Sequence, residues 1–161
     1  GYFPLEYWVH GPEGGGRNIG EACHIYDLFT FLTNARFTRV GVQAIRPVTG
    51  YYGSQDNFVC TVSFADGSVA TLTYTALGSR EYPKEKMEIY VDGRVIAMEE
   101  YKRVDVVGSA EKGMKTKLVD KGLEEELRQF ALAIQGSVAW PNPLWQQVQA
   151  MEIAFKADSA G

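Results

Sequence analysis

The chain has 161 residues, 45% hydrophobic, 22% charged and 12% aromatic, the make-up of an ordinary globular protein rather than a disordered or fibrous one. Its net charge of -4, from 16 Lys and Arg against 20 Asp and Glu, comes without a cluster of bases interleaved with aromatics, which argues against nucleic acid as a partner. No apolar run approaches the roughly 20 residues that span a bilayer, and Gly1-Tyr2-Phe3-Pro4 lacks the basic start and apolar middle of a signal peptide, so no membrane partner is expected and the simplest localisation is cytoplasmic.

The run from Gly14 to Asp27 leads from three glycines into a helix predicted from Arg17 to about Asn34. Ile19, Ala22, Cys23, Tyr26 and Phe29, widened by Ile25, Leu28 and Leu32, form one apolar stripe, which predicts packing on something broad such as a sheet. At 3.6 residues per turn, positions 17, 20, 24 and 27 share a flank, with Glu21 beside them. Asn34 is placed to end the helix in the left-handed conformation.

Strands are predicted for the next eighty or so residues. Phe37 to Val48 is rich in β-branched residues, and Pro47 with Gly50 closes it before the loop Tyr51–Asn57. Phe58–Phe64 and Val69–Ala76 read as a hairpin through Ala65-Asp66-Gly67. A type I turn with Gly67 as a bulge pairs Phe64 with Ser68 and gathers Phe58, Cys60, Val62, Phe64, Ala70, Leu72 and Tyr74 on one apolar face. The opposite face is then hydroxyl-rich, with Thr61, Ser63, Thr71, Thr73 and Thr75 beside Val59 and Val69. Met87, Ile89 and Val91 pair with Ile96 and Met98 across a two-residue Asp92-Gly93 turn, and Tyr101–Val107 adds a further strand. Gly108 to Lys121 reads as an exposed loop. Leu123, Leu127, Phe130, Ala131 and Ile134 mark a helix, and a last one is expected to start with Asn142 as cap and Pro143 at its first position, with Leu144, Val148, Met151 and Phe155 facing the core. Helix, strands, then two helices imply a single α+β domain over residues 1–161 with an open-faced, mainly antiparallel sheet and helices on one face.

Several chemistries can be weighed on these residues. The glycines lack the buried strand before them and the acidic residue about 20 positions on that a dinucleotide fingerprint requires, so entry to a helix is the better reading than a phosphate cradle. Cys23 and Cys60 match no disulfide or paired-cysteine metal spacing and are expected reduced and buried. Glu21, His24 and Asp27 offer nitrogen and oxygen ligands, but one turn of helix presents them poorly around a single ion, and no metal is expected. Tyr51 and Tyr52 offer ring faces to a sugar. His24 is the sharpest candidate: an imidazole exchanges protons near neutral pH, and Asp27 three residues on can orient it.

Trp8-Val9-His10, the run GGGRNIGEACHIYDLFTFL from residue 14 to 32, the FADGS hairpin and the closing pair of helices resemble the carboxy-terminal domain of the Gfo/Idh/MocA oxidoreductases. The resemblance implies a sheet domain of the dihydrodipicolinate reductase-like or glyceraldehyde-3-phosphate dehydrogenase-like carboxy-terminal type, which binds a sugar or polyol and makes a homo-oligomer through its open sheet face. It implies His24 and Asp27 as catalytic residues and Arg17, Asn18 and Glu21 as substrate-binding ones. The family helix has an aspartate where this chain has Gly20; Glu21 is adjacent, but one residue turns a side chain by about 100 degrees. The family's nucleotide-binding half, with its NAD(P) fingerprint and glutamate-lysine-proline motif, has no counterpart in these residues. The chain is therefore expected to be an excised domain of a dehydrogenase that uses NAD or NADP, to bind no cofactor by itself, and to be inactive alone. The competing expectation is a stand-alone binding or scaffold module that works through the open sheet face.

Overall fold

In the computed structural model, which describes residues 4, 6–46, 48, 50 and 52–160, a 3-10 turn at Trp8–His10 and a π-helical turn at Asn18–Ala22 lead into α1, Cys23–Thr33. Next come β1 (Phe37–Ala44), a 3-10 turn at Ser54–Asp56, β2 (Phe58–Phe64), β3 (Val69–Tyr74), β4 (Lys86–Val91), β5 (Arg94–Glu99), β6 (Arg103–Val107) and β7 (Met114–Lys115). The helices α2 (Leu123–Ile134) and α3 (Leu144–Ala160) follow. Pro47 and Tyr51, named above, lie outside the described residues. The chain divides into two compact units, Gly1–Gly78 with Asn142–Gly161, and Ser79–Pro141.

In the first unit β1, β2 and β3 form an antiparallel sheet in that order. The bulged hairpin register holds: Phe58 pairs with Tyr74, Cys60 with Leu72 and Val62 with Ala70. At the turn the Phe64 amide donates to the Ser68 carbonyl at 2.9 Å, and Gly67 takes a φ of +89°, which a β-carbon would resist. Phe58, Cys60, Val62 and Phe64 are buried against Ala22, Tyr26 and Phe29 of the first helical segment and Ala150, Ile153, Ala154 and Ala157 of α3. Helices thus cover one face, while Thr61, Thr71, Thr73 and Val69 stand exposed on the other. Asn34 ends α1 in the left-handed conformation, at φ 48° and ψ 33°.

The face that α3 buries differs from the expected one. Leu144, Val148 and Phe155 are exposed and Met151 is half-buried; the inward side is Gln146, Gln149, Ala150, Ile153, Ala154 and Ala157. The reason is close packing: alanines let α3 approach its neighbours, and the buried Gln149 amide is satisfied. Its Nε2 donates to Thr30 Oγ1 at 3.2 Å and to the Ala35 carbonyl at 2.9 Å, and its Oε1 accepts from the Phe37 amide at 3.2 Å. A polar residue with its hydrogen bonds made is no worse inside than a methylene chain. The helix also begins at Leu144, one residue later than expected, so Pro143 precedes it rather than opening it and Asn142 is not its cap.

The second unit carries the remaining four strands as a separate antiparallel sheet, ordered β4-β5-β6-β7, where one sheet was expected from the sequence. The Asp92-Gly93 hairpin keeps its two-residue register, with Val91 opposite Arg94, Ile89 opposite Ile96 and Met87 opposite Met98. Within the expected loop, Met114 and Lys115 pair with Val104 and Arg103. The apolar stripe of α2 is present, but Leu123, Leu127, Phe130 and Ile134 are exposed.

Candidate functional site

The glycines build the entry to the helix by close approach. A β-carbon on Gly14 would lie 2.5 Å from Val9 Cα and 2.6 Å from the Trp8 carbonyl oxygen, so only glycine lets the segment press against the 3-10 turn. Gly15 and Gly16 follow at φ +66° and +74°. With Gly14 packed on backbone and no strand before it among the described residues, these glycines shape a turn and do not form a pyrophosphate cradle.

Beyond them the π-helical turn inserts one extra residue per turn and divides the predicted polar flank in two. Arg17 and Asn18 face inward, at 4% and 6% exposure. Asn18 Nδ2 donates to the Ala154 carbonyl at 2.8 Å, and the Tyr26 hydroxyl donates to Asn18 Oδ1 at 2.9 Å. Burial pushes the Tyr26 phenol far above its ordinary range, so it stays a donor. Both halves of the Asn18 amide are occupied by protein.

Arg17 packs over the Tyr74 ring, its guanidinium carbon 5.3 Å from the centroid, and its Nη1 lies 4.0 Å from Asp56 Oδ2. Asp56 is 3% exposed, with Oδ1 3.6 Å from His10 Nδ1. Burial pushes the Asp56 carboxyl up, and His10 and Arg17 pull it part of the way back. None of His10, Asp56 or Tyr74 stands out in the sequence as a site residue: two sit in loops, and Tyr74 belongs to an apolar strand face. The available signal is that Asp56 is the one acidic residue of the loop before β2.

Glu21 and Asp27 are half-buried on the outward side, and His24 is exposed. Burial pushes the Asp27 carboxyl up while His24 draws it down, so the two groups sense each other, yet no hydrogen bond joins their side chains among the described residues. Apo geometry of this kind commonly tightens when ligand binds. A side chain at Gly20 would bring its β-carbon 3.3 Å from the Gly14 carbonyl oxygen. Burial also raises the thiols of Cys23 and Cys60, which are free and built as packing groups rather than nucleophiles. Among the described residues no three His, Cys, Asp or Glu side chains converge to hold a metal ion, and no helix is long and apolar enough to cross a membrane.

The chain thus presents antiparallel sheets, a glycine turn and a helix bearing an exposed histidine. The family model described as GFO/IDH/MocA C-terminal domain matches residues 3–97, and the chain belongs to that family. No curated protein matches by sequence. Among solved structures, a levoglucosan dehydrogenase in complex with NADH and levoglucosan superposes with a TM-score of 0.76 at 17% identity, covering 98% of this chain and 51% of that one. The UDP-N-acetylglucosamine 3-dehydrogenase of Acidithiobacillus ferrooxidans gives 0.73 at 17% identity, over 98% and 50%. A biliverdin reductase of Synechocystis in complex with biliverdin and NADP+ gives 0.67 at 14%, over 96% and 49%. The chain spans about half the length of these structures, and the likeness at such identity is one of fold.

Proposed function

We propose that this chain is the substrate-binding and oligomerisation domain of an NAD(P)-dependent dehydrogenase that oxidises a sugar or polyol hydroxyl. The observation that carries the reading is an exposed His24 with the half-buried Asp27 one turn on, on the glycine-entered helix of a GFO/IDH/MocA domain. His24 takes the proton of the reacting hydroxyl, Asp27 orients the imidazole, and Glu21 accepts a hydrogen bond from a neighbouring hydroxyl. Arg17 and Asn18 act from behind, holding the π-turn on which Glu21 stands.

The glycine turn does not fit a dinucleotide, because Gly14 is packed on backbone. The hydride acceptor is accordingly assigned to protein outside these 161 residues, and the domain by itself is inactive. The exposed, hydroxyl-rich face of β1–β3 is assigned to contact between copies. A stand-alone binding module using that same face is the second reading, favoured by Val69, 67% exposed at its edge.

An NMR titration of the chain with a panel of sugars and polyols, and separately with NAD, tests the assignment. Shifts at the Glu21, His24 and Asp27 amides with a polyhydroxyl ligand and none with NAD are expected. Micromolar NAD affinity, or a ligand response confined to β1–β3, contradicts it.

A further inference from the structure

The glycine turn borders a cavity of about 300 Å³ within the first unit, and Glu21, His24 and Asp27 are not among the residues that line it. Gly11, Pro12, Gly15 and Gly16 line it together with Ile19 of the π-turn, so that Pro12 and Ile19 supply carbon surface. The volume lies at the lower end of the range for small-molecule sites.

The polar groups of the cavity come from three separate segments and share one electrostatic sense. Asp158 stands in the last turn of α3, where the helix carbonyls add partial negative charge. Gln55, in the 3-10 turn before β2, turns its amide oxygen toward Gly16: a β-carbon on that glycine would lie 3.1 Å from Gln55 Oε1. Glu13 adds a second carboxylate beside Gly11, its Oε2 3.4 Å from where a β-carbon on that glycine would be. No Lys or Arg lines the cavity among the described residues.

His10 completes the lining. Its Nδ1 lies 3.6 Å from Oδ1 of Asp56, whose side chain is 4% exposed, and that charge draws the imidazole proton to Nδ1. Nε2 is then an acceptor. It is buried and has no hydrogen-bond partner among the described residues, where buried polar atoms are paired as a rule.

We propose that this cavity is a binding site for a small organic ammonium ion, whose N–H groups donate to the Asp158 carboxylate, Gln55 Oε1 and His10 Nε2 while its carbon chain lies on Pro12 and Ile19. Three acceptors converging from three segments match an ammonium group, which has three donors and no acceptor. A divalent metal ion is the poorer match, because Mg²⁺ and Ca²⁺ take six or more oxygen ligands and only Asp158 brings a carboxylate to the lining. The site goes beyond the function proposed for the His24 flank and does not depend on it.

The test titrates the 161-residue chain with n-butylammonium chloride at constant ionic strength, followed by 15N NMR, with n-butanol as the neutral match and magnesium chloride as the bare cation. Saturable shifts in the millimolar range are expected with butylammonium at the Gly16 and Ile19 amides and the Gln55 side-chain amide, and none with butanol. Asp158→Asn, at the exposed end of α3, removes the charge without touching the core. It is expected to weaken butylammonium binding about fivefold, the upper range of an exposed ion pair. The proposal is overturned if butylammonium gives no saturable shift at these groups, if butanol or magnesium binds there equally well, or if Asp158→Asn leaves the affinity unchanged.

Discussion

Asn18 and Ala154, 136 residues apart, are joined by a 2.8 Å hydrogen bond from the Asn18 amide nitrogen to the Ala154 carbonyl, and the same amide accepts from Tyr26 at 2.9 Å. One side chain thus ties the π-helical turn to both α1 and α3. Asn18→Ala leaves the Tyr26 hydroxyl, in a fully buried residue, without its acceptor, at a cost of roughly 1–3 kcal/mol. Chemical denaturation should show that loss. Stability within a few tenths of a kcal/mol of wild type would mean the tether is dispensable.

Gly14 and Gly20 make opposite predictions although both belong to the glycine-rich entry. Alanine at Gly14 drives a β-carbon to within 2.5 Å of Val9 Cα, backbone that cannot step aside cheaply. Alanine at Gly20 meets a single oxygen at 3.3 Å and gains up to about 1 kcal/mol of helix propensity. Thermal melts should rank Gly14→Ala far below Gly20→Ala, and equal melting temperatures would contradict the close-approach account of the entry.

Asp27 and Asp56 carry a pH signature of unusual sign. Burial raises both carboxyls above the ordinary value of 3.8, so between that value and the raised one the native state holds more protons than the unfolded chain. Their contribution to stability is complete below 3.8 and is lost as pH rises through the raised values. Asp56→Asn should flatten that part of the stability profile. For Asp27, His24→Ala removes the group that draws its carboxyl down, so the Asp27 midpoint followed by carboxyl 13C shifts should move up; a downward move would show that the pair does not interact as described.

Much of the fold is legible in the sequence because local rules and packing agree there. Gly67 forces the bulge that pairs Phe64 with Ser68, and Asn34 ends α1 by the conformation asparagine tolerates. The inward face of α3 is not legible, since hydropathy ranks Leu144 and Phe155 above Gln149. What reverses the order is the set of partners waiting for the Gln149 amide on Thr30, Ala35 and Phe37. The polar flank is half legible for a related reason. A 3.6-residue period puts Arg17 beside His24, and the π-turn at Asn18–Ala22 separates them, sending Arg17 inward to Asp56 and leaving His24 at the surface. Asp56 and Tyr74 are reached from the sequence by no period, because tertiary contact alone brings them to Arg17.

In the proposed function His24 moves the proton of the reacting hydroxyl. The most direct test of this step is the turnover of sugars and polyols by the full-length protein with and without His24→Ala. Loss of a general acid–base group predicts a fall in kcat of about 100-fold or more with little change in KM. A kcat equal to that of wild type would contradict the account.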